Sequence, residues 1–369
     1  MGLFSRSNKI EAQYTPQVMS DNFSYGYTSS GIYSIRRESA MSVPSVARCR
    51  NLIAGTIASI PLHLYRRSTG EELGSPLWLE QPSKSQPRSV TIAWTVDSLL
   101  MYGQCFWRVT ELYADDGRPA RFEWVANTRV TYDVDIDNSY VTQYYVDGIA
   151  APMSGLNSLI TFQGLDEGIL TRGVRTLQAA IDLDKAASIA SATPQPTGFL
   201  KNSGADLDPK EVQGLLAAWK QARATRSVAY LTSTLDYVTT SYSPKEMGYN
   251  EGKQFLSTEI ARLCNVPAIY LSADMNSSYT YTNVLDSRKD FVAYSLQPFI
   301  SAIEDRLSMD DITARGNYIK FAINDTFLRQ DPIAELAVIE KLLSLGLITT
   351  EQAMEMTDQT PNGNEGMTS

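Results

Sequence analysis

The sequence predicts an α+β fold with a mainly antiparallel sheet in its N-terminal half, and three observations carry that expectation. Short apolar/polar alternations crowd between residues 62 and 162, separated by turn signals such as Asp115-Asp116-Gly117. Three- and four-residue apolar spacing returns on either side of that region, which is the helical period. Cap-plus-proline helix starts stand at Asp208-Pro209 and Asp331-Pro332.

Along the chain, residues 1–40 are polar and rich in Ser and Tyr with little periodicity, and read as a flexible arm that orders only against a partner. Ser45 to Ile60 reads as a helix, with Val46, Cys49, Ile53, Ile57 and Ile60 on one face and Pro61 as its stop. Leu62 to Arg66 alternates as a strand around His63. After a proline-rich loop, Ser89 to Met101 reads as a second helix, broken by Gly103. Strands are expected over Cys105–Leu112, Arg121–Val125, Val130–Ile136, Val141–Val146 and Leu159–Phe162.

Val174 to Ala192 reads as an Ala-rich helix, whose small side chains suit close approach to an identical neighbour. Asp208 and Glu211 form a capping-box signature ahead of Val212, Leu215, Leu216 and Trp219. Short strands are expected over Val228–Leu231 and Leu235–Thr240, and a helix over Gln254–Leu263. A Ser/Tyr/Asn-rich stretch from Ser272 to Thr282 separates that helix from a long one, Asn283 to Leu307, about 35 Å in length. Pro298 should kink it. Helices from Asp331-Pro332 to Gly346 and from Thr349 onward precede a polar tail.

Composition narrows the function classes. The apolar fraction of 43% and charged fraction of 20% are globular values, so a packed core is expected in this 369-residue chain. A net charge of −9 argues against a basic-faced nucleic-acid binder. It does not argue against a protein past which DNA must slide without being gripped. Cys49, Cys105 and Cys264 form no metal-binding or CxxC spacing, and their odd number fits a reducing compartment. No apolar run is long enough to span a membrane, and the N-terminus lacks a signal-peptide pattern, so assembly in a cytoplasm is expected.

The search for chemistry finds little. His63 is the only histidine and lies between two leucines of a strand, a structural position. No phosphate-binding glycine loop or nucleophile elbow occurs. Asp133, Asp135 and Asp137 would share one side of a strand and could gather a divalent metal for a hydrolase, although a solvated edge strand explains them more simply. Neither a catalytic residue nor a cofactor or metal ligand is therefore assigned. Lys210, Lys220, Arg223 and Arg226 form a basic cluster that reads either as a solvated helix face or as a docking surface.

The order of these pieces resembles the compact portal proteins of tailed bacteriophages. The resemblance runs from about Val43 to Thr360. It is carried by Ser42-Val43-Pro44-Ser45, by Ala58-Ser59-Ile60-Pro61-Leu62, and by Leu99 to Phe106 around Gly103. Phe199 to Gly204, the segment Glu259 to Pro267, Tyr281-Thr282-Asn283, Leu296-Gln297-Pro298 and Arg329-Gln330-Asp331 complete the set. Departures fall at turns and caps: Gln81-Pro82-Ser83, Arg172-Gly173-Val174 and Thr350-Glu351-Gln352.

The resemblance implies a portal-type fold and a structural rather than enzymatic role. Its parts would be an α+β wing over 41–172, a stem helix over 173–196 and a small α/β clip over 197–245. A second stem helix would cover 246–271, a tunnel loop 272–282, the rest of the wing with its long helix 283–330, and a small helical crown 331–369. It further implies a ring, typically dodecameric, at one capsid vertex of the virion. Double-stranded DNA would pass through without sequence specificity. The large terminase subunit, then head–tail connector proteins, would dock on the clip, and capsid or scaffold protein would hold the rim. On this chain the DNA-facing loop would present Asp274, Met275, Asn276, Ser277, Ser278 and Tyr279, and the docking residues would be Lys210, Lys220, Arg223 and Arg226. A portal of a domesticated prophage or gene-transfer particle is the nearest variant of this reading.

Overall fold

The computed structural model describes residues 35–135, 141–192, 198–204, 207–224, 233–239, 248–271, 288–323 and 332–356. The chain divides into two compact units, Arg175–Ile260 and the remainder.

The larger unit opens with a short helix α1 (Arg37–Met41) and the helix α2 (Pro44–Ser59), with Pro44 in its first turn. Strands β1 (Leu62–Arg66) and β2 (Glu72–Leu73) follow, then a single turn α3 (Leu77–Glu80) and the helix α4 (Arg88–Tyr102). Gly103, at φ +73°, closes α4 in the left-handed conformation that glycine adopts without strain. Strands β3 (Gln104–Leu112), β4 (Pro119–Val125), β5 (Val130–Val134), β6 (Val141–Val146), β7 (Ile149–Ala150) and β8 (Leu159–Gln163) complete the antiparallel half.

Why β3 is central follows from its composition. Gln104, Cys105, Phe106 and Trp107 are all buried, so both faces of the strand are covered. It pairs antiparallel with β4 on one side and β8 on the other. One face carries Trp107, which packs between Phe122 and Phe162 at ring distances of 5.3 and 4.7 Å. Its indole N–H donates to Thr95 Oγ1 of α4 at 2.8 Å, so burying the ring leaves no polar group unsatisfied. The other face carries Phe106, which packs with Val130, Val141, Tyr144 and Val146 of the β5–β6–β7 sheet. Burial of each such aromatic side chain contributes about 2–3 kcal/mol.

Helix α2 buries Val46, Cys49, Ile53 and Ile57, the stripe expected from sequence, and lies against α4. His63 on β1 pairs through Nδ1 with the Glu72 carboxylate on β2, in keeping with a structural role. All three cysteines are free and buried. Burial pushes the Cys105 thiol up to about 12, so it stays protonated and inert at neutral pH. The neighbouring Cys49 thiol and burial together hold Cys264 well above the ordinary thiol range.

Two features differ from the sequence expectation. Of the arm expected over residues 1–40, the described part, 35–40, is packed: Ile35 and Ala40 are buried, and Arg37 of α1 holds Asp97 of α4 through two bonds of 2.8 and 2.9 Å. The polar character of the segment hid this, because its anchor is an ion pair and not an apolar stripe. The other is β11 (Asn317–Phe321), which pairs antiparallel with β1 from Leu62↔Phe321 to Arg66↔Asn317. Ile319 and Phe321 are buried and Lys320 is exposed, so the two-residue period was present. Its partner lies at the opposite end of the chain, which local periodicity cannot indicate.

The smaller unit holds most of α6 (Val174–Ala192) and α8 (Tyr249–Leu263), with β9 (Gly198–Asn202), α7 (Pro209–Ala224) and β10 (Leu235–Thr239) between them. The single turn α5 (Ile169–Arg172) precedes α6 in the larger unit. Lys253 Nζ lies 2.7 Å from Asp184 Oδ1 and ties α8 to α6. A Cβ on Gly252 would stand 3.1 Å from Leu183 Cδ2, so the glycine lets the two helices approach closely. β9 and β10 pair antiparallel, and Trp219 of α7 lies on Tyr237 of β10 at 5.1 Å. The backbone N–H groups of Glu211 and Val212 bond the Asp208 carbonyl, which starts α7 at the expected place.

In the larger unit the long helix is irregular where the sequence led us to expect it. Residues 288–290 are helical, Phe291–Leu296 wind as π-helix, and α9 (Gln297–Leu307) resumes the α register with Pro298 in its first turn. Helices α10 (Pro332–Ser344) and α11 (Thr350–Met356) follow. The predicted capping box of α11 is formed in both directions: Gln352 N–H donates to Thr349 Oγ1 at 3.2 Å, and Thr349 N–H to Gln352 Oε1 at 2.9 Å.

Candidate functional site

The six residues expected to face DNA, Asp274 to Tyr279, lie outside the described residues, as does Arg226. What the structure shows is how the chain enters and leaves residues 272–287. Helix α8 ends in a Schellman motif: Val266 N–H bonds the Ala261 carbonyl at 2.9 Å and Asn265 N–H the Arg262 carbonyl at 3.1 Å. Asn265 supplies the left-handed residue, φ +53°, a conformation that asparagine tolerates better than most side chains. Pro267 follows, and a 3-10 turn over Ala268–Leu271 leads to the boundary of the segment.

On the far side stands the π-helical turn. Pro298 has no N–H to return to the carbonyls one turn back, Ala293 or Tyr294. The Asn265 side-chain amide donates to the Tyr294 carbonyl instead, and Ser295 Oγ donates to the Asn265 carbonyl. Tyr270 meets Phe291 edge to face at 5.2 Å, and Arg48 of α2 donates to the Tyr270 carbonyl at 3.2 Å. Both ends of residues 272–287 are thus fastened to one another and to α2. The helix irregularity and the left-handed Asn265 are two halves of one joint.

Sequence reasoning marked Glu259 to Pro267 by resemblance and Pro298 as a kink, but did not connect them. The available signal was an asparagine directly after a helix and before Val266-Pro267. Replacing Asn265 by alanine should cost about 1–2 kcal/mol, because it removes the amide donor and strains the backbone. Asn265→Gly relieves the strain and should cost less than the alanine change. Thermal melts of the two variants separate the contributions; equal losses would show that backbone conformation plays no part.

A cavity of about 290 Å³ adjoins the joint, lined in part by Asp166, Arg172, Arg262, Asn265, Tyr294 and Phe299. It does not have the character of an anion site: Arg172 pairs with Asp166 at 2.5 Å and donates to the Leu263 carbonyl at 2.6 Å. Among the described residues no group of three metal-ligating side chains occurs. The Asp133 carboxylate accepts a 2.7 Å bond from Tyr145 O–H, while Asp137 lies outside the described residues. No described helix is long and apolar enough to cross a membrane.

The basic cluster is only partly placed. Lys210 is exposed in the first turn of α7, and Lys220 and Arg223 belong to the last turns of the same helix.

A family profile described as phage portal protein matches residues 44–358. This chain belongs to the phage portal protein family. It is 23% identical to a probable portal protein of Streptomyces phage phiC31 over 94% of this chain and 80% of that one. Among solved structures, an HK97-family phage portal protein from Corynebacterium diphtheriae superposes with a TM-score of 0.63 at 24% identity, over 83% of this chain and 98% of the other. The neck of a native gene transfer agent particle, computed with C12 symmetry, matches with a TM-score of 0.53 at 19% identity, over 88% of this chain and 94% of that one. At these identities the structural likeness establishes the fold. The portal-type fold expected from the sequence is therefore the observed one, and the family match identifies it as a portal protein.

Proposed function

We propose that this portal protein is the subunit of a ring at one capsid vertex, and that residues 272–282 form the loop facing DNA in its channel. The observation that carries the loop assignment is the joint at its base. A polar segment whose two ends are held together by Asn265, Tyr294 and Ser295 can project from a fixed root. The ring holds twelve copies, the symmetry with which the similar neck of a native gene transfer agent particle is computed. The smaller unit supplies two stem helices, α6 and α8, and a clip of β9, α7 and β10. The clip docks the large terminase during packaging and head–tail connector proteins afterwards. Capsid or scaffold protein holds the wing in the virion, and assembly takes place in the host cytoplasm. The acidic net charge suits a channel that passes DNA without gripping its phosphates. The protein's role is structural, not catalytic.

Electron microscopy and sedimentation of the purified protein should show rings with a central hole. A chain that stays monomeric at all salt concentrations would overturn the ring. Removal of residues 273–280 should leave ring assembly intact while DNA packaging or retention falls at least tenfold; loss of assembly would make the segment structural instead. Arg223→Glu with Arg226→Glu should weaken terminase or connector docking without dissolving the ring, and unchanged docking would reduce the cluster to a solvated face.

A further inference from the structure

Two of the three cysteines form a pair that none of the roles above uses. Cys49 stands on the buried face of α2, and Cys264 follows the last turn of α8, directly before the left-handed Asn265. They lie far apart in the chain, so no cysteine spacing announces their meeting. In the fold both are buried, at 0% and 3% exposure, and their thiols lie within hydrogen-bonding reach of one another. Their neighbours meet as well: Arg48 of α2 donates to the Tyr270 carbonyl, and Asn265 holds the π-helical turn through Tyr294 and Ser295. The two sulfurs therefore touch at the root of residues 272–287.

Mere packing would be served by any two small apolar side chains. A metal site needs three or four donors, and among the described residues no group of three metal-ligating side chains occurs. A disulfide needs two thiols in contact and a path by which an oxidant reaches one of them. That path is present, because Cys264 lines the cavity of about 290 Å³ that adjoins the joint. Arg172 and Asp166 line the same cavity; the guanidinium favours the Cys264 thiolate and the carboxylate opposes it. Cys105 is set differently, its sulfur lying among Thr95, Ser98 and Trp124.

We propose that Cys49 and Cys264 are a disulfide-forming site, closed by a peroxide that enters through this cavity, and that the bond fastens the root of residues 272–287 to α2. The Cys264 sulfur attacks one oxygen of hydrogen peroxide; the O–O bond breaks, water leaves, and a sulfenic acid remains on Cys264. The Cys49 sulfur then attacks Cys264 Sγ; the S–O bond breaks, and the departing oxygen takes the Cys49 proton and leaves as a second water. Both thiols are oxidised and the peroxide is reduced to water. Burial and the Cys49 thiol keep Cys264 protonated, so the reaction is slow, and a reducing cytoplasm holds the pair open during assembly. Closure follows when the particle meets an oxidising medium, a timing that rests on the virion reading above.

The purified full chain tests the site whether or not it forms rings. After treatment with hydrogen peroxide, free thiols are alkylated in denaturant and the protein is mapped by mass spectrometry. Cys49 and Cys264 should be recovered in one linked pair of peptides, while Cys105 is alkylated. A reductant should restore alkylation at both. The Asn265 and Val266 amides, which bond the end of α8, should exchange about tenfold more slowly in the linked protein than in the reduced one. Cys49→Ala should abolish both the link and the slowing, whereas Cys105→Ala should keep both. Alkylation of all three cysteines after peroxide, or sulfinic acid on Cys264 beside a free Cys49, would overturn the site. A link to Cys105 would do the same. A Cys49–Cys264 link that leaves exchange at Asn265 and Val266 unchanged would overturn the fastening of the root. A chain that links as expected yet never forms rings would overturn the ring reading and leave the disulfide site standing.

Discussion

Replacing Gly103 with alanine should destabilise the larger unit by about 3–5 kcal/mol, through backbone strain added to overpacking. Gly103 holds φ +73°, and a Cβ there would stand 2.5 Å from the Asp166 carbonyl oxygen and 2.7 Å from the Glu167 carbonyl carbon. Neither neighbour is a side chain that can swing aside. The opposite face of the contact is equally tight: a Cβ on Gly168 would lie 2.5 Å from Gly103 N and from the Met101 carbonyl oxygen. Gly164 N–H donates to the Gly103 carbonyl at 2.7 Å, so the turn after α4 and the loop after β8 are pressed back to back. Gly117 serves as the control. It has φ +70° but open space around its Cα, so Gly117→Ala isolates the conformational cost, about 1 kcal/mol. Denaturant midpoints of the two variants decide the matter. A Gly103→Ala loss no larger than that of Gly117→Ala would mean that the close approach has no energetic consequence.

Asp97→Ala should cost a further class of stabilisation, about 3–5 kcal/mol, by leaving two arginines without their shared counter-ion. Asp97 is 1% exposed. Arg37 grips it in bidentate fashion from α1, and Arg50 Nε of α2 lies 2.6 Å from its Oδ1. The hydrogen bond to Asp97 raises the Arg37 pKa above the ordinary guanidinium value, so the guanidinium is charged at every accessible pH. Both guanidinium groups also lie over the Trp94 ring, at 5.0 and 5.4 Å. Loss of the carboxylate leaves two like charges side by side on one indole. Limited proteolysis should then cut before residue 44, because α1 loses its strongest tether to α4. Asp97→Asn keeps the shape and some hydrogen bonding and should fall between wild type and alanine. If Asp97→Ala melts within one or two degrees of wild type, the ion pair is not what holds α1 in place.

These two expectations involve residues that the sequence showed but did not rank. Gly103 was read as a helix stop, which it is. Nothing near it in sequence announced that the chain returns sixty residues later to press against its backbone. Asp97 stood between Val96 and Leu99 on a helix face that periodicity assigns to the core, a local contradiction that marks a buried ion pair. Its partner Arg37 lies in a segment whose polar composition reads as a flexible arm. The same limit applies to β11, whose alternation was present but whose partner β1 is near the other end of the chain.

Where the signal was local, the reading matched. Val174–Ala192 forms a helix over the expected span, the Asp208-Pro209 start opens α7, and Pro332 is the first residue of α10. Thr349 and Gln352 exchange the bonds that their spacing foretold. Periodicity, caps and turn residues act over a few positions, and a linear reading reaches that far. The candidate site was legible only at its margins. Ser272 to Thr282 was marked by its polarity between two helices, while its root was written in Asn265 and Pro298, whose joint meaning depends on their meeting in space.

Alone, the sequence determined the element types, their order and most of their boundaries, because backbone propensity and apolar period are properties of neighbouring residues. Through the order of its motifs it also pointed to the portal family. Only the tertiary structure decided that β11 closes on β1 and that α1 is latched to α4 by a buried carboxylate. The same holds for the amide by which Asn265 fills the hydrogen bond Pro298 cannot make. Each of these depends on groups brought together across long stretches of chain, where complementarity of charge, hydrogen bonding and packed volume selects the partner.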